Sequence, residues 1–263
     1  MGKLITVEKI VNLRDLGGMP TMDGRRIKEG FLFRSGDLGN ATDADRQMLA
    51  GMLDLVVDFR SPEERVAKPD PEMDGVENIH LPILGTEAQK NTHPPTAKQN
   101  LAEVFSDPVK VRAGLRGAYS KFVESEFSVK QYEQFFRLLV EGKYPRVLWH
   151  CSAGKDRTGF AAFMIESVLG VDRETAIEDY KATTQYLAGD LEKLKESIRN
   201  TEEGLTEEHE QALEFAFEAS DYYISASIEK MDELFGGFDG YLKNGLHVTD
   251  EEVELLRNRY LEG

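Results

Sequence analysis

The feature that most constrains the fold is the single cysteine, Cys151, in the stretch "RVLWHCSAGKDRTGFAAFMIESVLG". A short apolar run before the cysteine is typical of a buried strand, and the longer apolar run after it is typical of a buried helix. The segment 151–157 therefore joins a strand to a helix, and Gly154 suits the sharp bend between them. A strand–loop–helix unit of this kind favours an α/β architecture.

The rest of the first half of the chain alternates in the same way. Strands are predicted at 30–36, 53–60, 77–83 and in the "RVLWH" segment. The second strand is continuously apolar, as in a sheet that is covered on both faces. Asp58 and Arg60 lie where this strand ends. The segment 85–100 is predicted to be a polar loop.

Helix signals separate the strands. Thr42 is a predicted N-cap, and Ser61 with Glu64 forms a predicted capping box that begins a helix at Pro62. A second capping box is predicted at Ser128 and Gln131. Apolar residues at helical spacing predict further helices over 111–122 and 132–140, a long helix within 206–235 that stops at Gly236, and a terminal helix capped at Thr249. We expect a single domain spanning 1–263, with an α/β core at 1–171 and a helical extension at 172–263.

Composition excludes several classes of protein. One cysteine forms no internal disulfide, thiolate zinc cluster or CxxC redox pair. The formal net charge of −16 opposes binding to nucleic acid and to anionic membrane surfaces. No apolar run reaches the roughly 20 residues of a membrane helix, and no signal-peptide pattern is present at the N-terminus. We therefore expect a cytoplasmic protein, with non-classical secretion as an open alternative, and no metal, no cofactor and no integral membrane segment.

The cysteine loop has the chemistry of an anion-binding nucleophile. Backbone N–H groups of the loop and the helix N-terminus form a phosphate-binding nest that also favours a thiolate. The predicted phosphate-binding residues are Ser152, Ala153, Gly154, Lys155, Asp156 and Arg157. The Arg157 guanidinium binds two phosphate oxygens, and Cys151 lies beneath the phosphorus for nucleophilic attack. We expect the Thr158 hydroxyl to contact the cysteine sulfur, and His150, on the opposite face of its strand, to organise the loop.

The loop "HCSAGKDRTG" resembles the HCxxGxxR[ST]G signature of the protein tyrosine phosphatase superfamily, in particular the bacterial tyrosine, dual-specificity and phosphoinositide phosphatases of the mycobacterial PtpB and listerial LipA kind. The resemblance extends over nearly the whole chain, through 12–38, 53–64, 178–187 and 241–261. It implies a phosphatase-type sheet flanked by helices, a cysteine nucleophile and no metal. The implied partners are substrates: phosphotyrosine proteins, with phosphoserine, phosphothreonine and phosphoinositides as further candidates.

The general acid is the part of the site that the sequence leaves open. Many tyrosine phosphatases carry an aspartate about thirty residues before the cysteine, and this chain has none there. The candidates are Asp156, within the loop, and Asp58, at a strand end. Lys155 is a candidate contact for a second phosphate. Arg34 and Arg60 are supporting residues that either bridge carboxylates in the core or touch the substrate.

Other functions fit the sequence less well. A nucleotide-binding phosphate loop needs Ser or Thr after its lysine and a further upstream glycine, and "AGKD" has neither. An arsenate reductase that uses a CX5R loop needs more cysteines to relay its disulfide. A catalytically silent phosphate-binding module would have lost the cysteine, the arginine or the acid. A cysteine-dependent phosphomonoesterase that forms a phosphocysteine is the function the sequence predicts.

Overall fold

The computed structural model describes residues 1–85, 101–201 and 204–263, so most of the predicted polar loop lies outside the described residues. Six strands form one sheet in the order β1-β2-β4-β7-β5-β6, in which β4, β7, β5 and β6 are parallel. The remaining two, β3 and β8, pair with each other. The strands are β1 (Lys3–Leu4), β2 (Arg14–Asp15), β3 (Arg26–Ile27), β4 (Leu32–Ser35), β5 (Leu55–Asp58), β6 (Glu77–His80), β7 (Val147–His150) and β8 (Leu261–Glu262).

The helices cover both faces of this sheet. They are α1 (Asp43–Met52), α2 (Pro62–Ala67), α3 (Leu101–Val104), α4 (Pro108–Glu124), α5 (Glu126–Glu141), α6 (Asp156–Val168), α7 (Arg173–Lys181), α8 (Thr183–Arg199), α9 (Glu207–Phe217), α10 (Asp221–Phe235), α11 (Phe238–Asn244) and α12 (Asp250–Tyr260). Within the described ranges, none of these helices has the length and apolarity needed to cross a lipid bilayer. The predicted α/β class with a helical C-terminal region is confirmed.

Alternation along the strands builds a core on each side of the sheet. Val57 and Trp149 contribute to the larger cluster, and Val56 and Leu148 contribute to the smaller one against α1. The larger cluster continues without a break into the C-terminal helices, where Tyr223 and Tyr241 belong to it. The helical extension therefore packs on the same core as the sheet.

Helix ends follow the cap signals with two exceptions. The capping boxes at Ser61 and Thr249 are present as predicted. The predicted box at Ser128 is wrong, because α5 begins earlier and the Ser125 hydroxyl accepts from the Ser128 N–H. The predicted long helix within 206–235 is also wrong. Ser220 caps a new helix there, which separates α9 from α10.

Parallel pairing brings the functional segments to one edge of the sheet. The register places Ser35, the last residue of β4, and Asp58, the last residue of β5, opposite His150 at the end of β7. Cys151 follows directly. The carboxyl ends of three neighbouring strands thus meet beneath the cysteine loop, which is where α/β proteins bind ligands.

Candidate active site

The cysteine loop turns sharply between β7 and α6, and only glycine fits its bend. Gly154 has φ +67°, and a Cβ atom there would lie 2.4 Å from the Ser35 carbonyl oxygen. The loop therefore lies directly against the end of β4. Any other residue would need both a strained backbone and a displaced strand.

The loop is held by its carbonyl groups. Arg34 Nη2 and Asn12 Nδ2 each donate to the Gly154 oxygen at 2.9 Å, and the Asp37 N–H donates to the Ser152 oxygen at 3.0 Å. By contrast, the backbone N–H groups of residues 152–157 donate to no described residue. These amides, at the start of α6, are available to an anion, as the predicted nest requires.

Arg157 is fixed by a carboxylate from the neighbouring helix. Its Nη1 and Nη2 atoms lie 2.7 Å and 2.9 Å from the two Glu64 carboxylate oxygens, and Ser152 Oγ donates to the same carboxylate. Burial alone would lower the pKa of Arg157, but Glu64 and Cys151 outweigh it and raise the pKa. The guanidinium is thus charged and oriented, and its Nε atom donates to no described residue.

Cys151 lies at the base of the loop with only 2% of its surface exposed. It belongs to the main apolar cluster. Thr158 was expected to contact its sulfur, but the Thr158 hydroxyl is buried and bonds to no described residue. The expected contact is therefore not formed in this structure.

His150 is the centre of a buried ionic network behind the cysteine. Its Nδ1 atom lies 3.1 Å from the Cys151 carbonyl oxygen, and its Nε2 atom lies 2.9 Å from an Asp70 oxygen. A carbonyl and a carboxylate only accept, so both ring nitrogens must carry protons. Burial alone would lower the pKa of His150, but Asp58 and then Asp70 outweigh it and raise the pKa. The imidazolium thus supports the cysteine backbone with a positive charge.

Arg60 completes this network. It forms two hydrogen bonds of 2.9 Å with Asp58 and one of 2.8 Å with Asp70. Burial alone would raise the pKa of Asp58, but His150 and then Arg60 lower it. Asp58, Asp70 and His150 have the ligand atoms to hold a metal ion, yet the Arg60 guanidinium already supplies the positive charge between the two carboxylates. The arrangement does not fit an added cation.

Asp156 and Lys155 lie at the other side of the loop. The Tyr119 hydroxyl donates to Asp156 Oδ1 at 2.9 Å, and 26% of the Asp156 side chain is exposed. The Lys155 side chain is only 1% exposed, and its ammonium donates to the Ala216 carbonyl at the end of α9. In this structure Lys155 therefore offers its backbone to the nest but does not present its charge for a second phosphate.

The structure places the remaining predicted residues in supporting positions. Arg34 bonds to Asp179 and Thr183 as well as to Gly154, so it bridges the core to the loop. Arg60 likewise bridges carboxylates. The sequence patterns do not indicate Asp70, and they assign Tyr119 only to the apolar face of a helix and Glu64 only to a helix cap.

Proteins with sequences similar to this chain carry phosphatase names. A protein of Cupriavidus necator, whose name provisionally assigns it as a tyrosine-protein phosphatase, is 32% identical over 98% of this chain and 89% of its own length. The triple specificity protein phosphatase PtpB of Mycobacterium tuberculosis is 28% identical over 94% of this chain and 95% of its own. A tyrosine-protein phosphatase of Nostoc commune is 27% identical over 91% of this chain and 77% of its own. The model of the tyrosine phosphatase family matches residues 5–262. With that match over nearly its full length and a cysteine–arginine loop at the sheet edge, the chain belongs to the tyrosine phosphatase family.

Proposed function

We propose that this phosphatase hydrolyses phosphotyrosine through a phosphocysteine at Cys151, without a metal ion. The observation that carries the proposal is a loop in which the N–H groups of 152–157 donate to no described residue and a charged Arg157 interacts electrostatically with Cys151. A phosphate dianion bound there would accept from the nest and from the guanidinium. Its phosphorus would then face the sulfur.

The reaction runs in two balanced steps. The Cys151 thiolate attacks phosphorus while the phosphorus–oxygen bond to tyrosine breaks, and the leaving oxygen takes a proton from a carboxylic acid. Water then attacks the phosphocysteine and gives a proton back to the same carboxylate. The second step releases inorganic phosphate and restores the thiolate.

Geometry favours Asp156 over Asp58 as the acid. The Asp58 carboxylate is fully buried and both of its oxygens accept hydrogen bonds from Arg60, so it cannot reach a leaving group. The Asp156 carboxylate belongs to the loop, and part of it is exposed. Asp58 instead keeps His150 charged.

The first test is hydrolysis of para-nitrophenyl phosphate and phosphotyrosine with and without EDTA. The proposal predicts equal rates, and a loss of activity that added divalent metal restores would contradict it. Asp156→Asn should lose about 10²–10⁴ in kcat on phosphotyrosine but little on an aryl phosphate with a good leaving group. Asp58→Asn is the comparison. If it shows that leaving-group dependence and Asp156→Asn does not, the acid is misassigned.

Wider specificity is a further proposal. The relative from Mycobacterium tuberculosis is named for triple specificity, and it is 28% identical to this chain over 94% of the chain. The buried position of Lys155 gives no local support for a second phosphate in this conformation. Parallel assays with phosphoserine peptides and phosphoinositides, each with wild type and Lys155→Ala, would decide. A selective loss on multiply phosphorylated inositides in Lys155→Ala would mean that the lysine becomes accessible to substrate.

The alternative is a phosphate-binding module on the same fold that does not turn over. It predicts phosphate or vanadate binding with no release of phosphate from any monoester. Cys151, Arg157 and Asp156 are all present in the loop, which favours the enzyme.

A further inference from the structure

Two buried tyrosines form a hydrogen-bonded chain that ends on Asp156. Tyr119, on α4, donates to Asp156 Oδ1 at 2.9 Å, and its hydroxyl lies 2.7 Å from the hydroxyl of Tyr180 on α7. Both tyrosine side chains are buried. Neither residue belongs to the cysteine loop, so the chain joins two separate helices to it.

The direction of the hydrogen bonds is fixed by the number of protons. An ionised Asp156 only accepts hydrogen bonds, so Tyr119 must donate its single hydroxyl proton to Oδ1. The contact between the two hydroxyls then needs a donor, and only Tyr180 is left to supply it. A buried hydroxyl without a partner is costly, so each tyrosine stabilises the orientation of the next.

The two oxygens of Asp156 are therefore unequal. Tyr119 lies at Oδ1, and Lys155 Nζ is 3.4 Å from the same atom. No described residue donates to Oδ2. When the carboxyl group is protonated, two donors at Oδ1 leave Oδ2 as the oxygen that holds the proton. A carboxyl group in the first turn of a helix would otherwise be free to fold back onto the helix N–H groups.

We propose that Tyr119 and Tyr180 are positioning residues for proton transfer. Tyr119 donates to Oδ1 of Asp156, so that the acidic proton lies on Oδ2. Tyr180 donates to the Tyr119 hydroxyl, which leaves the Tyr119 proton for Asp156. This rests on the proposed function, in which Asp156 is the general acid. It also gives a role to Tyr180 in the "EDYKATTQYL" segment, which the cysteine-loop chemistry does not otherwise use.

The test compares single hydroxyl deletions on a series of aryl phosphates that runs from good leaving groups to phenyl phosphate. Tyr119→Phe should lower kcat about 10–30-fold on phenyl phosphate, a part of the full effect of a general acid, and less than about threefold on the best leaving group. KM should be unchanged. Tyr180→Phe should show the same pattern with a smaller loss.

Tyr241→Phe is the matched control. Its ring is as buried as that of Tyr119, and its hydroxyl bonds to no described residue, so removing it should leave kcat unchanged on every substrate. Thermal unfolding and vanadate binding check that each variant is folded. If Tyr119→Phe does not fold, Tyr180→Phe alone decides, through the slope of its log kcat against the pKa of the leaving group.

Two outcomes would overturn the inference: equal losses across the series in both tyrosine variants, or no loss in either. The Asp156→Asn variant separates this failure from that of the proposed function. If Asp156→Asn lacks leaving-group dependence, the acid assignment is wrong. If it has that dependence and the tyrosine variants do not, only the positioning role is wrong. In the Asp156→Asn background, Tyr119→Phe should cause no further loss on phenyl phosphate.

Discussion

Glu64→Gln tests how the loop arginine is held. Glutamine serves a capping box as well as glutamate does, so α2 should keep its cap. The change removes the charge that faces Arg157 and one of the two acceptors at 2.7 and 2.9 Å. Only 8% of the Arg157 side chain and 9% of the Glu64 side chain are exposed, so solvent cannot replace the lost partner.

The expected loss follows from those contacts. A hydrogen bond to a charged group contributes about 1.5–3 kcal/mol, and breaking one side of a buried pair costs about 3–5 kcal/mol. We expect Glu64→Gln to lower the unfolding free energy by about 2–4 kcal/mol. Glu174→Gln is the matched control, because it removes the same charge from the first turn of another helix, α7, at an exposed side chain. It should stay within about 0.5 kcal/mol of wild type.

Urea unfolding followed by the fluorescence of Trp149 measures both variants, since this buried residue is the only tryptophan in the chain. The misoriented guanidinium should also lower kcat/KM about 10–100-fold, or about 1.4–2.7 kcal/mol in the barrier. A Glu64→Gln protein as stable and as active as Glu174→Gln would refute the reasoning. A rise in kcat/KM would mean that Glu64 competes with the substrate instead of orienting the arginine.

Three other predictions concern buried ionisable side chains. Burial alone would raise the pKa of Asp70, but its hydrogen bond to His150 and the charges of His150 and Arg60 lower it to about 2, below 3.8. This lowered pKa contributes about 2 kcal/mol to the unfolding free energy above the unfolded value of 3.8, and the contribution disappears as pH falls through the folded pKa of about 2. The stability gap between wild type and Asp70→Asn should therefore narrow between about pH 5 and pH 2. Burial raises the pKa of Glu166 well above its ordinary 4.5, so its cost to the fold grows as pH rises above that value. Glu166→Gln should accordingly be more stable than wild type near pH 7 and equal to it near pH 4, and the opposite order in urea titrations would contradict this. Peroxide should inactivate the enzyme at Cys151, and excess phosphate should slow that loss, because the anion would shield the sulfur.

The sequence predicts the core of the site well, because its signals are local. The apolar run, Gly154 and the apolar helix place the cysteine loop, and the structure keeps that order. Strand alternation also predicts that His150 points away from the loop. It does so, towards Asp58 and Asp70.

The long-range partners could not be predicted. Glu64 is 93 residues from Arg157. Its capping box already explains a glutamate at this position, so the sequence gives no sign of the contact with the arginine. Lys155 follows a loop pattern that suggests exposure. A carbonyl 61 residues later, at Ala216, takes up its ammonium instead. Only the packing of distant helices decides such contacts, and no local pattern encodes them.

The same limit applies to the acid. Spacing brings both Asp58 and Asp156 to the edge of the sheet, and nothing in the sequence separates them. Arg60 lies two residues beyond Asp58 and takes both of its carboxylate oxygens. Tyr119, far away on α4, leaves one oxygen of Asp156 open. Hydrogen-bond partners, rather than position along the chain, make the distinction.

The central claim is that the phosphoryl group passes through Cys151. Rapid acid quench of the enzyme with para-nitrophenyl phosphate, followed by intact-protein and peptide mass spectrometry, tests it most directly. The account predicts one transient phosphoryl group on the peptide that contains Cys151, and a Cys151→Ser variant that binds vanadate but has neither adduct nor turnover. A phosphoryl group on another residue, or a Cys151→Ser variant that keeps more than about a percent of the wild-type kcat, a loss of under ~3 kcal/mol in the barrier, would contradict it.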